Sequence, residues 1–145
     1  MDRATIEADV FGAVLLLANK LQIWGDGIVP GMTMKQLFLL LLISKIGKQN
    51  PTLTEIAAFS GTSRQNVKKM LEQLETKGYA VLCKSETDGR AMCVSLTEKA
   101  AAYFAENEAT SAKALNGLFS EITTDALTVT KQTLDKLLDF LGVSV

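Results

Sequence analysis

The stretch from Thr54 to Thr97, TEIAAFSGTSRQNVKKMLEQLETKGYAVLCKSETDGRAMCVSLT, decides the fold. It spells a helix, a glycine turn, a second and more polar helix, and a β-hairpin whose tip carries Asp88-Gly89-Arg90. Ala57 is small enough to let the second helix cross the first closely. Gly61 can take the left-handed backbone that ends the first helix, and Val67 turns into the core, with Leu71 and Leu74 continuing its apolar face. Two short helices meeting at a sharp angle, a helix-turn-helix, need this arrangement.

Thr62 is a suitable N-cap for the second helix, and Gln65 three residues later would complete a capping box, so the spacing predicts a helix starting at Ser63. Val67, Met70, Leu71 and Leu74 recur every three or four residues. Ser63, Arg64, Gln65, Asn66, Lys68, Lys69 and Gln73 are left for the outside and flanks. No acidic residue interrupts Thr62 to Leu71. An arginine can fork onto guanine, Asn and Gln onto adenine, and lysines neutralise phosphate, while the helix N-terminus adds partial positive charge. The candidate contact set for double-stranded DNA is therefore Thr62, Ser63, Arg64, Gln65, Asn66, Lys68 and Lys69.

Lys77-Gly78 should end this helix. Residues 79–84 then read as a β-strand with 91–96 as its antiparallel partner, joined by the turn-rich Ser85 to Arg90. Through Leu74-Glu75-x-Lys77-Gly78, and especially Asp88-x-Arg90 followed by Val94-x-Leu96-Thr97, the chain resembles the MarR family of winged-helix transcription regulators. The resemblance implies that Arg90 enters a DNA minor groove and that Asp88 holds it and the wing in shape, with Lys84 and Ser85 also in the wing. A narrow minor groove concentrates negative potential, and a neighbouring carboxylate can fix a guanidinium by a bidentate pair. The wing departs from many family members in carrying few basic residues and Glu86, which implies modest wing affinity.

At 145 residues, 48% of them hydrophobic, the chain is long enough for a packed core. The formal net charge of −1 hides a division along the sequence. Residues 31–99 hold ten Lys/Arg against six Asp/Glu, whereas residues 100–145 hold three lysines against six acids. A basic contact face on an acidic body favours one docking orientation. The apolar run Leu37 to Ile43 is seven residues, far short of the roughly 20 needed to span a bilayer, so a cytoplasmic protein with no membrane partner is expected.

Helical patterns flank the reading unit. From Thr5 onward Ile6, Val10, Val14, Leu17, Leu21 and Trp24 follow helix spacing until Gly25-Asp26-Gly27. Thr33 reads as the N-cap of a helix that holds the Leu37–Ile43 run, ends near Gly47 and is buried on nearly all sides. Thr97 can cap a helix from Glu98 to about Gly117, and a last helix from about Thr124 carries Leu127, Leu134, Leu137, Leu138 and Leu141. The fold expected is mainly α with a small β-hairpin wing: a winged helix-turn-helix with N- and C-terminal dimerisation helices. It divides into an N-terminal helix (1–31), the winged domain (32–98) and C-terminal helices (99–145), intertwined as one structural domain. Two amphipathic ends with little domain to pack on predict a homodimer. The competing burial is a monomeric core. A twofold dimer would set two recognition helices about 34–36 Å apart and read an inverted repeat.

With no histidine, the chain lacks the usual general base and the commonest zinc ligand. No paired carboxylates and no glycine-rich phosphate loop appear, so neither enzyme activity, a metal nor a cofactor is expected. Cys83 and Cys93 fall at comparable distances from the hairpin tip on adjacent strands, where they can face one another. They read either as a redox pair or as two small strand residues in a reducing cytosol. The family resemblance further implies a small aromatic ligand between the dimer helices and the winged domain, with Trp24, Met32, Met34, Phe38 and Tyr103 as candidate lining residues. Each also reads as ordinary core. The alternative from another class is a winged-helix module that binds protein and not DNA.

Overall fold

The computed structural model describes residues 1–87 and 89–143; Asp88, expected to brace the wing, lies outside the described residues. In chain order the elements are α1 (Arg3–Asp26), α2 (Met34–Lys45), α3 (Leu53–Ser60), α4 (Arg64–Thr76), β1 (Ala80–Lys84), β2 (Met92–Leu96), α5 (Glu98–Leu118) and α6 (Thr124–Phe140). The chain divides into two compact units, Met1–Asn107 and Glu108–Val145, with the boundary inside α5.

In the first unit Leu40 of α2, Leu53 and Ile56 of α3, Val67, Leu71 and Leu74 of α4 and Val94 of β2 are all fully buried. Four elements thus share one core. Each such side chain contributes about 1.5–3 kcal/mol on leaving water. The helices that carry them are punctuated by local chemistry. Thr33 caps α2 and Thr52 caps α3, each in a reciprocal capping box, with Gln36 and Glu55 respectively. Gly61 ends α3 at φ 72°, in the left-handed region that favours glycine, and its N–H reaches the Ala57 carbonyl. α4 ends in a Schellman motif, with Gly78 at φ 86°, its N–H on the Glu75 carbonyl and the Tyr79 N–H on the Leu74 carbonyl.

β1 and β2 form a two-stranded antiparallel sheet in the register Ala80↔Leu96, Leu82↔Val94, Cys83↔Cys93 and Lys84↔Met92. Each strand starts one residue later than its sequence pattern predicts. Tyr79 is taken up by the Schellman motif, and Ala91 only lends its carbonyl to the Ser85 N–H. On its other edge β2 meets the segment before α3, through a bridge between Thr52 and Cys93 and the Val94 N–H on the Pro51 carbonyl.

Two helices differ from expectation. α2 is not buried on nearly all sides: Leu39, Leu40 and Ile43 face the core, but Phe38 and Leu41 are exposed. α1 starts at Arg3, because the Asp2 carboxylate accepts the Thr5 N–H and caps it two residues earlier. Its apolar residues are not confined to one seam, since Phe11, Leu15 and Leu16 are exposed alongside Ile6, Val10, Val14 and Leu17. In the second unit α6 buries no residue and exposes Val129, Leu134, Leu137, Leu138 and Phe140. No helix among the described residues is long and apolar enough to cross a membrane.

Candidate nucleic-acid interface

The N-cap of α4 is Ser63, and the helix begins at Arg64, one residue later than the sequence suggests. Ser63 has the extended backbone a cap requires (φ −70°, ψ 150°), and its Oγ accepts the Asn66 N–H at 3.1 Å. Thr62 plays a different part: its Oγ1 accepts from Asn66 Nδ2 at 2.9 Å. Gln65 therefore closes no capping box. Ser63, Arg64, Gln65, Asn66, Lys68 and Lys69 are all exposed, while Thr62 is half-buried. Lys68 lies 3.8 Å from Glu72, but both side chains are half exposed. Such a pair contributes at most about 1 kcal/mol and leaves the lysine available to a phosphate. The first turn of α4 thus offers amide and guanidinium groups beside the positive end of a helix dipole, with no acid among them.

The hairpin is fastened to the same helix. Glu75 of α4 accepts the Leu82 N–H of β1 at 2.7 Å, a donor on the edge of β1 that faces away from β2. Thr97 donates to the Gly78 carbonyl at 2.7 Å and caps α5 by accepting the Ala100 N–H at 3.3 Å. Cys83 and Cys93 are joined by a disulfide. Toward the tip, the Ser85 hydroxyl lies 3.1 Å from that of Thr87, and Lys84 and Arg90 are exposed. The strand pattern places the two cysteines opposite one another, but it carries no sign of Glu75 as a tether. Glu75 does fall within the Leu74 to Gly78 motif, but its partner is chosen only by the hairpin's placement.

A polar cluster around the buried Gln36 fixes the far end of α4. Gln36, only 6% exposed, donates from Nε2 to Gln73 Oε1 at 3.2 Å, and its Oε1 accepts from Lys77 Nζ at 3.1 Å. Lys77 also donates to the Gly31 carbonyl at 3.0 Å. Lys99 sits 4.8 Å above the Tyr79 ring and donates to the Lys77 carbonyl, and Tyr79 meets Tyr103 edge to face at 5.3 Å. Gln36 thus joins α2 to the C-terminal end of α4 by one amide–amide bond and one charge-assisted bond, both partly shielded from solvent.

Residues 31–91, which span α2 to the wing tip, match the family model described as MarR family. The segment is similar to a MarR-family winged helix-turn-helix. Solved structures share the fold beyond it. The structure titled as a mutant MarR from E. coli complexed with operator DNA superposes with a TM-score of 0.79 at 18% identity, covering 95% of this chain and 99% of that one. The transcriptional regulator BldR from Sulfolobus solfataricus reaches 0.82 at 12% identity, covering 96% and 99%. BpsR of Bordetella bronchiseptica, whose title concerns regulation of DNA binding by 6-hydroxynicotinic acid, reaches 0.73 at 17% identity, covering 88% and 97%. No curated protein matches the chain.

A cavity of about 270 Å³ opens beside α4 of the MarR-type unit, lined by Gln22 of α1, Lys35, Phe38, Leu39 and Leu42 of α2, Ser60 of α3, and Thr62, Asn66 and Met70. Of the residues expected to line a ligand site, Phe38 is on this cavity. Met34 packs against Gly25, where an added Cβ would collide with its side chain. Tyr103 is buried, donates its hydroxyl to the Pro30 carbonyl at 2.8 Å, and has its pKa raised by burial and by Tyr79. Met32 is also buried in the core, and Trp24 is about one-third exposed. Trp24, Met32, Met34 and Tyr103 are not among the residues that line this cavity. Gln22, Lys35 and Asn66, polar residues at helix-surface positions, carried no sequence signal for a cavity.

Proposed function

We propose that the protein is a sequence-specific double-stranded DNA-binding transcriptional regulator of the cytoplasm and not an enzyme. The observation that carries this reading is the first turn of α4. A capped, acid-free run of exposed Arg64, Gln65, Asn66, Lys68 and Lys69 stands on the second helix of a helix-turn-helix, with a hairpin tied to that helix and Arg90 exposed at its tip. α4 reads the major groove, Lys68 and Lys69 take phosphates, and Arg90 with Lys84 and Ser85 contacts the flanking minor groove.

The regulator acts as a homodimeric repressor on an inverted-repeat operator. In the dimer, 1–31 and 99–145 supply the intertwined dimerisation helices around the winged domain 32–98. Support comes from the apolar side chains that α1 and α6 leave exposed, a quantity rarely left on a monomer's surface. A small aromatic ligand that releases DNA would fit the cavity that reaches Thr62 and Asn66, because any shift of those residues moves the reading turn.

Salt dependence separates this reading from a winged-helix module that binds protein. Affinity for duplex DNA should fall steeply as salt rises, with a log–log slope of about −0.9 per phosphate neutralised. Absence of duplex binding at any salt would favour the interaction module.

A further inference from the structure

We propose that Cys83 and Cys93 form a reversible dithiol–disulfide site that sets the order of the wing; its effect on DNA rests on the function proposed above. The two are register partners on β1 and β2, with Cα atoms 5.1 Å apart and their sulfurs bonded. That separation lies within the range a disulfide spans. The bond encloses residues 84–92, and therefore Lys84, Ser85 and Arg90 together. Toward the strand bases, the hairpin is held from outside by Glu75 on Leu82 and by Pro51 and Thr52 on Val94 and Cys93. Toward the tip, the ladder continues through Lys84 and Met92 and the Ser85 N–H on the Ala91 carbonyl. A two-stranded hairpin is marginal by itself, so a covalent clasp at this level decides whether the last pairs stay formed.

The two sulfurs differ in access. Cys93 is 4% exposed, whereas Cys83 is half-buried and is the sulfur a reagent in solvent meets first. The oxidant is a hydroperoxide. The Cys83 thiolate attacks its terminal oxygen, the O–O bond breaks, and the alkoxide leaves and takes up a proton, giving a sulfenic acid. The Cys93 thiolate then attacks the Cys83 sulfur and expels hydroxide, which is protonated to water. Two thiols and one hydroperoxide become one disulfide, one alcohol and one water, with two electrons passed to the peroxide. In reverse, a dithiol reductant attacks the Cys83 sulfur and frees Cys93 as thiolate, and its second thiol then closes on the mixed disulfide to release Cys83.

The test uses the full chain treated with hydrogen peroxide or with dithiothreitol. Iodoacetamide labelling of the denatured protein should find two thiols after dithiothreitol and none after peroxide. Hydrogen exchange at the amides of Lys84 to Ala91 should quicken about tenfold on reduction, while those of α3 and α4 stay unchanged. Affinity for a duplex that the protein selects should fall severalfold, and a Cys83→Ser/Cys93→Ser variant should behave as the reduced form in both conditions. Two alkylatable thiols after peroxide, or equal wing exchange in both states, would overturn the switch. A change in wing exchange without duplex binding in either state would support the switch and count against the DNA reading.

Discussion

The carboxylate of Glu75, on α4, accepts the backbone N–H of Leu82, on β1, at 2.7 Å. One residue on the helix that presents Arg64 to Lys69 thereby satisfies a donor on the outer edge of the hairpin that presents Arg90. Glu75→Ala should cost about 1.5 kcal/mol, the low end for a bond to a charged group, because the site is exposed. Urea denaturation would measure the loss, and hydrogen exchange should show the Leu82 amide newly labile.

Leu71 is fully buried among α2, α3 and β2 residues of the same core. Leu71→Ala should destabilise the first unit by about 2–5 kcal/mol through lost transfer energy and the cavity left behind. A domain of ordinary stability would keep little margin, so the thermal midpoint is the readout.

Arg64 and Lys68 should separate by what they do to sequence preference. Arg64→Ala is expected to weaken duplex binding by about 1–3 kcal/mol and to relax preference at one position of each half-site. Lys68→Ala should weaken all sequences about equally and lower the salt slope by about one. Parallel titrations of both variants on matched and mismatched duplexes would show it.

Glu55 gives a pH prediction. A hydrogen bond from Lys48, with the Thr52 N–H, holds its carboxyl below the ordinary value of 4.5. A depressed folded-state pKa contributes stability that is present above the unfolded value and lost as pH falls through the folded one. Stability should therefore drop below about pH 4.5, and Glu55→Gln should flatten that part of the profile in denaturation measured from pH 3 to 7.

The exposed leucines of α6 test the dimer. Leu134→Asp/Leu137→Asp places two charges on side chains that α6 leaves open to solvent. If those side chains are the dimer contact, sedimentation should shift from dimer to monomer while the circular dichroism of the monomer stays helical. A wild-type chain that sediments as monomer would remove the dimer from the function proposed.

What the sequence made legible was local. Gly61, Gly78, Thr33 and Thr97 announce their turns and caps because the chemistry that ends or starts a helix lies within four residues. Val67, Leu71 and Leu74 betray a buried face by spacing alone. Ser63 and Thr62 could not be told apart, since both carry the hydroxyl a cap needs and only the backbone angle after Gly61 decides between them. α2 was read as buried all round because a run such as Leu37 to Ile43 has no polar stripe to mark its outer face; Phe38 and Leu41 supply that face instead. The cluster of Gln36, Gln73 and Lys77 joins residues 37 and 41 positions apart. No periodicity encodes such a pairing, and the polar lining of the cavity was hidden for the same reason.

The most direct measurement is selection of the purified protein against a randomised duplex library at physiological salt, with sequencing of the bound fraction. A DNA-reading dimer should enrich an inverted repeat whose half-sites lie about 10–10.5 base pairs apart, centre to centre. Binding that is absent, or that enriches no sequence, would contradict the assignment of α4 and the wing as a reading head.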